Sequence, residues 1–135
     1  RDALEMRRRL HGNKHAEVAL SEVALAHLYL ETGRFEEART LAHGAREVLA
    51  DALGPRHWRT AWAGSVEGAA ISHTADRRQA EPLLLASLAI LEKTPGAGGR
   101  QLYVTSTRRF LATLYGASGR AEQAAQYLAQ RSPLR

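Results

Sequence analysis

Apolar side chains recur three and four positions apart along most of the chain, and no run alternates in the way a half-buried strand requires. Val18, Val23, Leu25, Ala26, Leu28 and Tyr29 form one such stripe, and Ala38, Leu41, Ala42, Ala45, Val48 and Leu49 form the next. Each stripe gives an amphipathic helix one face to bury. The spacing predicts helices over residues 2–11, 16–32, 35–53, 58–74, 77–93, 101–117 and 120–131. Local punctuation sets their limits. Gly33 and Gly119 stand where helices would end in the left-handed conformation, and Gly12-Asn13 separates the first two helices. Asp76 with Gln79 three residues later is a capping-box signature, and Thr94-Pro95-Gly96-Ala97-Gly98-Gly99 is the strongest breaker.

The pattern repeats. Leu28-Tyr29-Leu30-Glu31-Thr32-Gly33-Arg34-Phe35-Glu36-Glu37-Ala38 returns 86 residues later as Leu114-Tyr115-Gly116-Ala117-Ser118-Gly119-Arg120-Ala121-Glu122-Gln123-Ala124. That distance is two periods, and a weaker copy lies between: Gly12-Asn13-Lys14-His15 corresponds to Gly54-Pro55-Arg56-His57. The middle copy departs from its neighbours. It has Glu67 in place of Leu25 and Leu111, Gly68 for Ala26 and Ala112, Ile71 for the tyrosines and Ala75 for the terminal glycine. With Gly64 also present, each glycine lowers helix propensity by about 1 kcal/mol against alanine, so this helix is expected to be the softest. Its glycines either permit close packing or mark a specialised binding element.

These residues resemble tetratricopeptide repeats of the kinesin-light-chain type. The resemblance rests on Leu-Tyr-x-x-x-Gly-Arg-x-Glu-x-Ala, on the turn Leu53-Gly54-Pro55-Arg56-His57, and on Ala3-Leu4-Glu5-Met6-Arg7 and Ala80-Glu81-Pro82-Leu83. The repeat here exceeds the usual ~34 residues by about two helical turns, so each helix can lengthen by one turn without rotating its apolar face. The resemblance implies an all-α array of antiparallel helix pairs wound into a right-handed superhelix. It divides one domain into a truncated repeat (1–11) and full repeats at 16–53, 57–93 and 100–131, so the sequence reads as a piece of a longer protein. Ala26, Ala112, Ala38, Ala80 and Ala124 take the close-packing sites, and Tyr29 and Tyr115 fill seams between helices.

The resemblance also implies a concave face that binds a protein or peptide segment. Its positions are Leu20, Val23, His27, Leu30 and Glu31; then Trp62, Ser65, Ala69, Ser72 and His73; then Ser106, Arg109 and Thr113. Leu20 and Trp62 are the expected apolar anchors and Arg109 the expected partner of an acidic group. The paired Asn of many relatives is replaced by Val23-Ala24, Ser65-Val66 and Arg109-Phe110, and the Lys and Asn residues of a chaperone-type carboxylate clamp are missing.

Composition narrows the chemistry. The chain has 135 residues, 44% hydrophobic and 24% charged, which suits a folded domain, and no Cys, which excludes disulfides and thiolate chemistry. No apolar run approaches the ~18 residues of a membrane span, and no signal segment opens the chain, so a cytoplasmic location is expected. No His-Glu-x-x-His, Gly-x-Ser-x-Gly or phosphate-binding glycine loop occurs, and no enzyme, cofactor or metal is expected. His11 and His15 are four apart but divided by Gly12-Asn13, and His15 and His57 are expected to make structural hydrogen bonds in turns. The net charge of +5 lies wholly in residues 100–135, where six Arg face Glu122 alone. Arg7-Arg8-Arg9, Arg77-Arg78 and Arg108-Arg109 diverge around their helices and lack interleaved aromatics, so nucleic-acid binding ranks below peptide binding. A structural or self-associating module is the alternative, since an end face of a repeat stack is apolar.

Overall fold

The computed structural model describes the backbone of residues 2–94 and 99–129 and the side chains of residues 15–94 and 101–128. It contains α1 (Asp2–Glu31), α2 (Phe35–Leu53), α3 (Trp58–Ile71), α4 (Ala80–Lys93), α5 (Gly99–Ala117) and α6 (Ala121–Ala129), with one 3-10 turn at Arg77–Gln79 ahead of α4. There is no strand among the described residues.

Three expectations about boundaries are corrected. Residues 2–11 and 16–32 are not separate helices, because α1 runs through Gly12 and Asn13 without a break. The matching turn at Gly54 has φ 101° and is followed by Pro55, which has no N–H to continue a helix. Asn13 replaces that proline, and a Gly-Asn pair costs a helix only about 1–2 kcal/mol, less than a new nucleus would. The capping box at Asp76 does not form either. The Asp76 carboxylate instead accepts from Arg39 Nη1 at 2.9 Å, and α4 proper starts at Ala80. Finally, α3 stops at Ile71 rather than 74. In place of a terminal glycine, Ser72 Oγ donates to the Ala69 carbonyl at 2.6 Å, and Thr74 Oγ1 donates at 2.8 Å to the Ile71 carbonyl that also accepts from Thr74 N, so hydroxyls reinforce the carbonyls of the helix end.

Elsewhere local chemistry acts as expected. Gly33 and Gly119 have φ 82° and 76°, and after each the arginine N–H (Arg34, Arg120) donates back to the tyrosine carbonyl (Tyr29, Tyr115) at 2.8 Å. Consecutive helices pack pairwise from α1 to α6. In addition α1 touches α3 and α3 touches α5, whereas α2, α4 and α6 do not touch one another among the described residues. Contact along one row and separation along the other bends the stack toward α1, α3 and α5. The result is an all-α repeat array with an inner and an outer layer.

Small residues set the inner spacing. Ala26, Ala38 and Ala80 are fully buried, Ala112 nearly so, and Ala124 is half-buried. Two apolar clusters fill the interior, one under α1, α2 and α3 and one under α3, α4 and α5, with Tyr103 and Phe110 packed against both. Helix α3 is shared by the two, and every residue from Thr60 to Ile71 is buried. A Cβ on Gly68 would lie 2.8 Å from Leu84 Cγ and one on Gly64 2.6 Å from Ser87 Oγ, so these glycines exist to let α4 approach. The expected softness of α3 is thus offset by complete burial, since tertiary packing outweighs propensity.

Candidate interaction surface

The inner layer carries a line of rings. Trp62 of α3 stacks on Tyr103 of α5 with centroids 4.4 Å apart, and Tyr103 in turn stacks on Trp58 at 5.7 Å. At the other side of Trp62, His27 of α1 presents an edge at 5.5 Å and Phe110 of α5 lies at 6.3 Å. His27 and Phe110 are themselves 6.3 Å apart, so side chains from α1 and α5 meet over α3. Beneath them Ser65 and Thr107 share a buried hydrogen bond of 2.8 Å, and Thr107 Oγ1 also lies 2.7 Å from the Tyr103 carbonyl to which it can donate.

This roof changes the expected groove. Val23, Trp62, Ser65 and Ala69 are buried, and their surfaces are spent on helix packing rather than open to a ligand. Trp62 is only 7% exposed and cannot act as a free anchor. Ser72 is half-buried and His73 exposed, but both lie beyond the end of α3. The His73 ring stacks on Phe35 at 4.1 Å, which ties the loop to the start of α2. The remaining positions form two lips: half-buried Leu20, His27 and Leu30 with exposed Glu31 on α1, and half-buried Ser106 with exposed Arg109 and Thr113 on α5. Arg109 forms no ion pair among the described residues. Sequence reading missed Trp58, Tyr103 and Phe110; the signal was there, since Trp58 and Trp62 are four apart and Tyr103 and Phe110 seven apart, each pair on one helix face.

The substitution at Glu67 is also resolved. Glu67 is 5% exposed; its carboxylate accepts from Arg46 Nε at 2.6 Å and lies 3.0 Å from His43 Nδ1. Both partners come from α2, so the odd residue of α3 is a tie to its neighbour. His57 has the structural role expected of it. As N-cap of α3 its Nδ1 accepts from Arg59 N at 3.0 Å, and burial, aided by the Arg59 charge, pushes its pKa down. Tyr115 is 2% exposed and donates to Glu81 at 2.6 Å; burial and that bond push its pKa up. Tyr29, expected in a similar seam, is half-buried beneath the Arg34 guanidinium, 4.3 Å from the ring centre, because no helix covers that side among the described residues.

Among the described residues there is no cluster of three potential metal ligands and no helix long and apolar enough to cross a membrane. The side chain of His11 lies outside the described residues. Residues 23–59 match the tetratricopeptide repeat family model, a span that runs from the second half of α1 through α2 to the first turn of α3. No curated protein and no solved structure matches the chain. Tetratricopeptide repeats are scaffolds that generally mediate protein–protein interaction. The helix pair at the matched span recurs as α3–α4 and α5–α6 with the same inner and outer layers, so residues 23–59 resemble a tetratricopeptide repeat within an all-α repeat array.

Proposed function

We propose that the chain is a non-catalytic module that binds an extended segment of another protein between the α1 and α5 lips, over the line of rings. The observation that carries this reading is the combination of a ring floor with flanking half-buried apolar side chains and the exposed guanidinium of Arg109. Leu20 and Leu30 offer apolar contact, and the edges of His27, Tyr103 and Phe110 supply flat, low-entropy area. Arg109, which forms no ion pair among the described residues, is the group that takes a carboxylate of the segment, which its fork of N–H donors engages bidentately.

Peptide selection on the chain from a random display library, followed by titration of the enriched peptide, tests the reading. The selected sequences are expected to pair an apolar residue with an acidic one. Arg109→Glu should weaken binding at least about tenfold, a loss of ~1.4 kcal/mol, and Leu20→Asp by a similar factor. Unchanged affinity in both variants, or binding only to polyanions with steep salt dependence, overturns it.

A further inference from the structure

Two successive joints of the stack follow one plan and are closed differently. Counted from the equivalent alanines Ala38, Ala80 and Ala124, Arg39 and Asp76 hold at the first joint the positions of Glu81 and Arg120 at the second. Each pair bridges an outer helix to the turn of the next repeat, at 2.9 Å and 3.3 Å, with the charges exchanged. At the first joint Phe35 stacks on His73 at 4.1 Å beside the bridge. The same two positions of the second joint hold Arg77 and Ala117, so no ring pair closes it. A half-open cavity of about 460 Å³ remains there, within the size range of small-molecule sites.

Charge indicates the occupant. Arg77, Arg78 and Arg120 line the cavity against one carboxylate, Glu81, together with the buried side chains of Leu114 and Tyr115. Glu81 accepts from Tyr115 Oη at 2.6 Å and from Arg120 Nη1 at 3.3 Å, so its charge is already matched. Arg77 and Arg78 are exposed and form no ion pair among the described residues. A simple carboxylate would balance one of these two charges. A phosphate monoester carries close to two at neutral pH and offers three acceptor oxygens to guanidinium donors. We infer that the cavity between α4 and the α5–α6 turn binds a phosphate monoester, on a small molecule or on a phosphorylated side chain, through Arg77 and Arg78. The site shares no residue with the lips of the inner groove, and binding at one does not require the other.

Calorimetric titration of the 135-residue chain at constant ionic strength tests this, with O-phosphoserine, a capped phosphoserine tripeptide, and the singly charged acetate and dimethyl phosphate as probes. At least one phosphate monoester should bind saturably and about tenfold or more tighter than either singly charged probe. Preference for the free amino acid identifies a small molecule as the source, and preference for the peptide a modified side chain. Arg77→Gln and Arg78→Gln should each weaken binding about tenfold. Glu81→Gln keeps an acceptor for Tyr115 while removing the opposing charge, so it should bind the ester more tightly than wild type. Arg77→Phe combined with Ala117→His rebuilds the ring closure of the first joint and should abolish binding, with helix content by circular dichroism unchanged. A wild-type chain that binds neither monoester more tightly than acetate, or folded arginine variants that bind as wild type does, overturns the inference.

Discussion

Helices α2 and α3 lie side by side and obey different rules. Helix α2 keeps its buried residues to one stripe, Ala38, Ala42, Ala45 and Leu49, and turns charged residues to water. Helix α3 is buried on every side, and three of its unusual residues answer particular neighbours: Gly68 answers Leu84, Gly64 answers Ser87, and Glu67 answers both Arg46 and His43. A helix at the edge of a stack is specified by period, whereas one in the middle is specified by the shapes and charges around it.

The sharpest way to break that contrast is to separate Glu67 from its partner. Arg46→Ala leaves a buried carboxylate with His43 alone and should cost about 3 kcal/mol in urea unfolding. Glu67→Leu, which restores the residue of the other repeats, frees two partly exposed side chains that can turn to solvent, and should stay within about 1.5 kcal/mol of wild type. The double variant should recover most of the loss from Arg46→Ala, and a cycle of the four proteins measures the coupling.

Gly68→Ala comes next. Its methyl group meets the branch point of a fully buried leucine, so overpacking of about 1–3 kcal/mol exceeds the propensity gain of about 1, and the melting temperature should fall. His57→Ala removes the N-cap of α3 and should cost about 1 kcal/mol. Because the folded-state pKa of His57 lies below its unfolded value, the unfolded chain binds the proton more readily, so this contribution is present above the usual histidine range and is lost as pH falls through it. Unfolding of wild type and His57→Ala across that range should therefore converge on the acid side. The smallest effect belongs to α2: Gly44→Ala meets nothing within 4 Å and should stabilise the chain by about 0.5–1 kcal/mol, opposite in sign to Gly68→Ala.

Much of the architecture was legible because its signals are local. The 86-residue return of the Leu-Tyr…Gly-Arg motif, the left-handed glycines and the helical period each depend on a few neighbouring residues. The break expected at Gly12-Asn13 failed for a local reason too: a turn motif without its proline leaves the helical path open. What escaped sequence reading depended on distant parts of the chain. Trp62 reads as an exposed anchor until rings from α1 and α5, dozens of residues away, close over it. Glu67 was visible as an anomaly, but its partners lie 21 and 24 residues earlier; the clue was that His43 and Arg46 are three apart and share a face.

The gap between the outer helices has a mechanical meaning. With α1, α3 and α5 in touch and α2, α4 and α6 apart among the described residues, small rotations of one helix pair against the next pivot about the inner row and strain the Arg39–Asp76 ion pair and the Phe35–His73 stack that link α2 to the segment before α4. The inner row is thus the hinge line of the stack, and a change of curvature there need not unfold any helix.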